Sequence, residues 1–520
     1  MARLFEFQGK NLLKNGRIPV PEGEAASNPQ EAYDIAARLG RPVVIKAQTW
    51  FTGRASVGGI LFADTPEEAR IASQKILGTE IRNFKIEKVL VEERLNIERE
   101  FYAGIIIDDR ERAPVILVSS LGGTGIEEIA RIHPDKIARK TVNPVTGIRD
   151  YESRNLLRKI GFKGATLVKM AKIITDLFKT ALKFEARAAE INPLVLTANG
   201  NLVAADCRIA IDDYAVFRHP ELQIEIARDL DHPPTPLDKI SYNVEMGDYR
   251  GTFYFIQMER DFKKGEGYIG FHGAGGGGSM MSMDALFRKG FKLANFCDTS
   301  GNPPASKVYR AARIILSQPG IDGYFGSGSG VASQEQFHSA RGLVKAFREQ
   351  NLSIPAVIRL GGNSEDKAVE ILENYTEDLP APVEGYKKDD PADFCAERMK
   401  VLISRGPYNP SGPVRRAFRP KEPYSFNTMT GEITFDHALC RDCSSKICIE
   451  ECIPDILKTK NGLPVLAITE EEAKRGKCIE CLACELECEF HGNKGAHIDL
   501  PIPGLEEYLQ KESDRISKSC

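Results

Sequence analysis

The stretch RPVVIKAQTWFTGRASVGGI, residues 41–60, decides the reading of the amino-terminal half. RPVVIKAQ is an apolar run of strand length, and FTGRASVGG is a glycine-punctuated loop behind it. Further along, KVLVEERL (88–95) reads as a second strand. NPQEAYDIAARLG (28–40) and TPEEARIASQKILG (65–78) read as helices with polar starts and glycine ends. Residues 1–235 therefore alternate strand and helix, and HPPTPLD (232–238) is a proline-rich break. Alternation resumes over 250–378, where GYIGF, GFKLANF, GIDGYFG and IPAVIRL each run toward a glycine-containing loop, the pattern of a parallel doubly wound sheet. Residues 380–435, rich in proline and polar side chains, read as an extended connector.

The chain has 520 residues, room for three or four domains of ~150 residues. Seventy basic and 73 acidic residues give a net charge of −3, no ground for expecting nucleic acid or an anionic membrane as partner. No apolar run approaches the ~18 residues of a membrane span, and MARLFEFQGKNLL lacks the layout of a secretory signal, so a cytoplasmic location is expected.

The twelve cysteines are unevenly spread: eight fall between Cys440 and Cys488. One run is Cys440, Cys443, Cys448, Cys452; the other is Cys478, Cys481, Cys484, Cys488. In a reducing compartment such clusters read as metal ligation. The second run has the C-x2-C-x2-C-x3-C spacing that wraps a cubane, and the pair of runs resembles a bacterial two-[4Fe–4S] ferredoxin. That resemblance implies one cluster on Cys440, Cys443, Cys448 and Cys488, and another on Cys452, Cys478, Cys481 and Cys484. The first run departs from it by two extra residues before Cys448, and the second lacks the trailing proline. Structural zinc is the alternative ligand. Glu480, Glu485, Glu487 and Glu489 crowd the second run; they either disfavour adding an electron there or form a solvated face.

RLFEFQGKNLLKNGRIPVPEG (3–23), together with the stretch at 41–60, resembles the start of an ATP-grasp ligase, nearest to the β subunit of succinyl-CoA synthetase among NDP-forming acyl-CoA synthetases, with ATP-citrate lyase a more distant relative. The likeness runs from about residue 3 to 378. It implies that Lys46 reaches a nucleotide phosphate and that Gly53 and Arg54 belong to a loop covering the phosphates, where glycine permits close approach. Ser56 stands where the family has lysine. Glu92 and Glu100 correspond to nucleotide-contacting positions. AAEINPLVL and NLVAADCRIA supply Glu190, read as catalytic, and the pair Asn192 and Asp206, read as Mg²⁺ ligands.

YIGFHGAGGGGSMMSMDAL (268–286) contains a G-x-G-x-x-G at Gly273, Gly275 and Gly278, with Asp298 twenty residues on. This superficially meets the dinucleotide fingerprint. The synthetase resemblance accounts for it better, as a substrate loop of a CoA-ligase domain. His272 stands where the family has asparagine. It is read as catalytic, with contact to substrate, a supporting role or a plain loop position left open. FGSGSGVAS (325–333), with Ser329 and Gly330, and VIRLGGN (357–363), with Arg359 and Asn363, complete the expected substrate and phosphate loops.

The expected architecture is α/β: an ATP-grasp domain (1–235), a flavodoxin-like doubly wound CoA-ligase domain (236–380), a connector (381–435), a ferredoxin-like α+β domain with two [4Fe–4S] clusters (436–505) and a tail (506–520). The expected function is that of a β-type acyl-CoA synthetase subunit using Mg²⁺ with ATP/ADP or GTP/GDP. It would meet a CoA thioester through an α-like partner that carries the phosphohistidine, and work with an oxidoreductase or ferredoxin partner in a hetero-oligomer. Two alternatives stay open: ATP-dependent delivery of low-potential electrons to a reductase, and a non-catalytic electron-entry scaffold.

Overall fold

The computed structural model describes residues 1–520 apart from 52, 82–83, 124–125, 231, 329, 410–417 and 520. The chain divides into two compact units, Met1–Pro234 and Thr235–Cys520.

The first unit holds two antiparallel sheets. The smaller orders its strands as Gly23–Ala26, Val89–Glu93, Val43–Ala47 and Ile60–Ala63. Helices Pro29–Leu39 and Pro66–Ile76 pack on it through Ala32, Ile35, Ala69, Ala72 and Ile76. Both helices start as their sequences predict. The Asn28 and Thr65 side chains accept from the backbone N–H of Glu31 and Glu68, each with proline next, and Gly40 ends the first helix in the left-handed region. The larger sheet runs Ala2–Arg3, Cys207–Ile211, Ala186–Thr197, Ile97–Asp108, Ala113–Ser119, Ile137–Thr141, with Leu202–Ala204 paired to Ala186–Thr197. Helix Gly164–Lys183 covers one face through Met170, Ile174, Leu177 and Phe178.

The second unit is built on a sheet in the order Tyr254–Gln257, Asn295–Asp298, Tyr268–Ala274, Gly323–Gly328, Ala356–Arg359, Val383–Tyr386. All pairs are parallel except that of the first strand, which lies antiparallel on the edge. Numbered along the chain, the parallel strands run 2-1-3-4-5, the flavodoxin order, with the switch point between Tyr268–Ala274 and Gly323–Gly328. The stretch read as an extended connector contains more structure than its composition suggests. Val383–Tyr386 closes the parallel sheet, and helix Ala392–Arg405 packs on it through Cys395, Met399 and Leu402. Pro423–Asn427 and Glu432–Asp436 join Ala496–Asp499 in a three-stranded antiparallel sheet within the cysteine-rich region. Sparse apolar periodicity hid these short elements, because each is buried by a neighbour distant in sequence.

Helix Phe337–Glu349 is buried at every position from His338 to Arg348. One face, Ala340, Leu343, Val344 and Phe347, joins the core of the sheet. The other carries Arg341, Lys345 and Arg348, spaced four and three apart and so on one side. Opposite lies helix Ala483–His491 of the second cysteine run. Arg341 Nη2 is 3.1 Å from Glu487, Lys345 Nζ 2.9 Å from Glu485, and Arg348 Nε 3.1 Å from Glu489. The solvated-face reading of these glutamates is corrected: Glu485 is fully buried, and Glu480 accepts from the Thr428 and Thr430 hydroxyls and the Thr430 N–H. One continuous apolar core, from Leu343 and Phe347 to Phe435, Leu486 and Ile498, underlies both regions.

Removing one member of a buried pair strands the other charge. Lys345 keeps a second partner, Glu349, 2.8 Å away, so Glu485→Ala is expected to destabilise the second unit by about 1.5–3 kcal/mol, with part of the loss recovered in the double variant Glu485→Leu with Lys345→Met. Chemical unfolding of the three proteins checks this; a loss below about 1 kcal/mol for Glu485→Ala, the range of exposed pairs, would contradict it.

Candidate functional site

In the first unit, the residues singled out from sequence converge on a buried ion network. Lys46, on Val43–Ala47, lies 2.9 Å from Glu6 and 2.7 Å from Glu92. Arg54 follows the left-handed Gly53 (φ 81°) and lies 2.7 Å from Glu6 and 2.7 Å from Asp206. Lys10 pairs with Glu6 and Glu92, and both lysines donate to the Ala205 carbonyl, at 2.8 and 2.7 Å. Burial opposes the charge on Lys46 and on Arg54, and their carboxylate partners outweigh it, so both stay firmly protonated. Burial likewise opposes ionisation of Glu6, but Lys10, Lys46 and Arg54 hold its pKa well below the usual carboxylate range. Burial and the charge of Glu6 push the Asp206 carboxyl up against the pull of Arg54.

Glu6 and Lys10 escaped the sequence reading. Their only signal is an i,i+4 charge pair on the first helix, Glu6–Asn15, which normally marks a wet face. Asn192 and Asp206 are neighbours, since the Asn192 N–H donates to the Asp206 carbonyl at 3.1 Å. The Asn192 side chain accepts from Gly123 N–H at 3.0 Å. Glu190 stands two residues before Asn192 on the same strand, opposite Gly104 and Arg208, and Glu100 on the neighbouring strand lies opposite Val195. A cleft of about 390 Å³ opens beside the network, lined by Phe7, Lys10, Val20, Leu90 and Glu92 among others.

In the second unit, the glycine loop leaves the carboxyl end of Tyr268–Ala274 and enters helix Gly276–Arg288. A Cβ on Gly273 would stand 2.3 Å from Ser279 Oγ, and Gly275 has φ 106°, so neither tolerates a side chain. The Asp298 carboxylate accepts from the N–H of Gly275 and Ser300, which fixes this loop. Arg359 donates to the carbonyls of Lys388 and Asp390, and Asn363 to that of Ser333, so both brace neighbouring loops. Gly330 has φ 75°, whereas Ser329 lies outside the described residues.

His272 is buried with both ring nitrogens engaged, Nδ1 2.5 Å from the Tyr324 hydroxyl and Nε2 3.0 Å from the Thr299 hydroxyl. Thr299 gives its proton to the Gly273 carbonyl, so Nε2 donates to Thr299 and Nδ1 accepts from Tyr324. Burial pulls the His272 pKa down to about 3.

The cysteine side chains fall into two groups. Cys440, Cys443, Cys448 and Cys488 act electrostatically on one another. So do Cys452, Cys478, Cys481 and Cys484, with Cys448 reaching across to Cys484. The eight thiols are free of disulfides. Backbone N–H groups point at several of them: those of Lys494, Gly495 and Ala496 at Cys488, and those of Ile456 and Leu457 at Cys452. Burial first, and then crowding by other sulfurs, raises the Cys440, Cys448 and Cys478 thiols to about 12. A small pocket of about 20 Å³ is lined by Cys452, Cys478, Cys481, Cys484 and otherwise mainly apolar side chains. Among the described residues no group of three or more His, Cys, Asp or Glu side chains is arranged to hold a single metal ion. Also among them, no helix is long and apolar enough to cross a membrane.

Unfolding lets His272 take up a proton that the folded chain refuses. Its folded pKa lies below the unfolded value of 6.5, so its contribution is intact above pH 6.5 and declines as pH falls toward 3, by up to about 1.4 kcal/mol per unit. His272→Asn is expected to flatten the loss of stability between pH 7 and 5, seen in thermal midpoints at each pH. An unchanged slope would contradict the buried neutral imidazole.

Known proteins resemble this chain in sequence and in fold. The ATP-grasp domain family matches residues 3–196. A β subunit of GDP-forming succinate–CoA ligase from Thermus thermophilus is 37% identical over 371 residues, 71% of this chain and 93% of the relative. An ADP-forming counterpart from Archaeoglobus fulgidus is 36% identical over 381 residues, covering 73% and 94%. In fold, the chain is similar to ATP citrate lyase from Methanothrix soehngenii solved with citrate and coenzyme A, with a TM-score of 0.63 at 18% identity over 78% of this chain and all of that one. With an ATP-grasp half, a flavodoxin-order half and more than a third of the aligned residues identical along nearly the whole length of such relatives, the chain belongs to the succinate–CoA ligase β-subunit family.

Proposed function

We propose that this chain is the nucleotide-binding, β-type half of an NDP-forming acyl-CoA synthetase that also carries two [4Fe–4S] clusters, one per cysteine set. The observation that carries the reading is the sorting of eight free thiols into two sets of four in the same compact unit as the flavodoxin-order sheet. The donor set suits the clusters: thiols crowded together, N–H groups aimed at sulfur, and an apolar cavity walled by one whole set. Ligands to a cubane sit on different irons and stand farther apart than four ligands on one ion, so the lack of a single-ion arrangement does not count against it. Bound clusters would supply one-electron transfer to an oxidoreductase or ferredoxin partner.

In the first unit, the nucleotide's phosphates pair with Lys46 and Arg54, which Glu6 keeps protonated. Arg54 exchanges Asp206 for phosphate, and that exchange frees Asp206 to hold Mg²⁺ together with Asn192, beside Glu190. Glu92 and Glu100 flank the nucleotide. In the second unit, the loops after Tyr268–Ala274 and Gly323–Gly328 flank the crevice at the switch point, where ligands of such sheets bind. His272 serves below them as a neutral strut between Tyr324 and Thr299. The CoA thioester and the phosphohistidine belong to an α-like partner subunit.

Anaerobically purified protein is expected to hold about eight irons and eight acid-labile sulfides per chain, with visible sulfur-to-iron absorbance. Cys481→Ser should lose one cluster signal preferentially, and zinc without iron would overturn the cluster reading. Asp206→Ala is expected to abolish Mg²⁺-dependent nucleotide binding, measured by calorimetry, while the visible spectrum persists. Unchanged affinity would overturn the metal assignment.

A further inference from the structure

Where the cysteine-rich region meets the start of helix Ala305–Leu316, a cleft of about 210 Å³ lies between them, with Tyr249, Pro304 and Pro501 among its walls. Two buried side chains lining it lack partners that their chemistry demands. Ser306 is 2% exposed, and among the described residues its hydroxyl makes no hydrogen bond. Arg310 stands one turn further on the same face of the helix and is 7% exposed. Its Nε donates to the Pro501 carbonyl at 3.1 Å and its Nη2 to the Thr430 carbonyl at 2.8 Å, which leaves both N–H groups of Nη1 without an acceptor among the described residues. Those residues give Arg310 no ion pair either. Glu480 lies beyond Thr430, held by the Thr430 hydroxyl and N–H. Lys307, by contrast, is matched: its ammonium sits 2.5 Å from Asp248 and donates to the Arg250 and Thr252 carbonyls. A guanidinium keeps its proton, and a buried one without a counter-charge is costly. The helix adds to the demand, since its first N–H groups have no intrahelical acceptor and Pro304, at the cap, has no side chain to offer them.

The geometry points to an anion site: the cleft takes a small ligand with a carboxylate or phosphate head, bound by the Ser306 hydroxyl, Arg310 Nη1 and the N-terminal N–H groups of the helix. The body of the ligand rests on Tyr249 and Pro304. Three kinds of donor converge there, one charged, one hydroxyl and one from the helix terminus, and an oxyanion accepts from all three. This site is separate from those already described. The nucleotide network belongs to the other unit, and no residue lining the cleft comes from the loops that flank the crevice at the switch point. Its place gives it a role in joining the second unit. The carbonyls that hold Arg310 belong to Thr430 and Pro501 of the cysteine-rich region, and Thr430 in turn holds Glu480. An anion on Nη1 completes the partners of Arg310 and so tightens its hold on both carbonyls.

The test is hydrogen exchange and calorimetry on the full chain with two probes, inorganic phosphate and acetate, each against chloride at equal ionic strength. At least one probe is expected to bind and to slow exchange over residues 305–312 and 428–431 together. Phosphate acting alone identifies a phosphoryl ligand, acetate alone a carboxylate, and both a site that reads only the charge they share. Ser306→Ala and Arg310→Gln should each weaken that binding about tenfold and remove the local slowing. Should Arg310→Gln fail to fold, Ser306→Ala, which deletes one oxygen, carries the test. No slowing at the two segments with either probe, or slowing that persists unchanged in folded Ser306→Ala, would overturn the proposal.

Discussion

The second unit depends on a stripe of three buried cations, Arg341, Lys345 and Arg348. In a two-layer α/β sheet this face of the helix would meet solvent. Here helix Ala483–His491 covers it and brings Glu485, Glu487 and Glu489 to the three cations. A buried ion pair adds little net stability, because desolvation consumes most of the attraction. Its strength is intolerance of error: shifting either helix along the other would bury unmatched charge. The ladder therefore fixes one register between the helix bearing the second cysteine run and the sheet. Tyr375 stacked on Phe490 at 4.0 Å, and Arg348 over the same ring, close the seam at its far end.

The first unit handles charge by the same rule to a different end. Lys10, Lys46 and Arg54 balance Glu6, Glu92 and Asp206 within one buried cluster. A balanced cluster resists a lone anion. Phosphates entering it must displace a carboxylate from a cation and then supply that carboxylate with another positive partner. The proposed Mg²⁺ at Asp206 would meet this need, and nucleotide and metal binding would then be coupled by charge balance.

The relatives span 371 to 381 residues of this chain, and its 520 residues leave the cysteine-rich remainder as its particular addition. That addition is no appendage. Phe435, Leu486 and Ile498 share a core with Leu343 and Phe347, and Arg310 of the intervening helix, Ala305–Leu316, donates to the Thr430 and Pro501 carbonyls. The cysteines packed this way are held at a fixed place relative to the sheet.

Much was legible in the chain itself. Period and caps marked Pro29–Leu39 and Pro66–Ile76, because a helix start is a local contest for orphan N–H groups that Asn28 and Thr65 win wherever they stand. Four of the five strands in the 2-1-3-4-5 order announced themselves as short apolar runs before glycine loops, since a strand buried on both faces has no polar side to show. The crossed grouping of the eight cysteines came from the likeness to a two-cluster ferredoxin, since spacing alone gives only two consecutive runs. Helix Ala392–Arg405 and the strands at 423–436 were missed, because their burial is supplied by residues far off in sequence. The same holds for charge. Arg341, Lys345, Arg348, Glu485 and Glu487 look like solvated side chains in any window of sequence, and His272 looks like a reactive one. Local order reports which groups the chain carries. Only the tertiary structure decides which of them lose water and which partner replaces it, and in this protein that decides what the charges and the histidine can do.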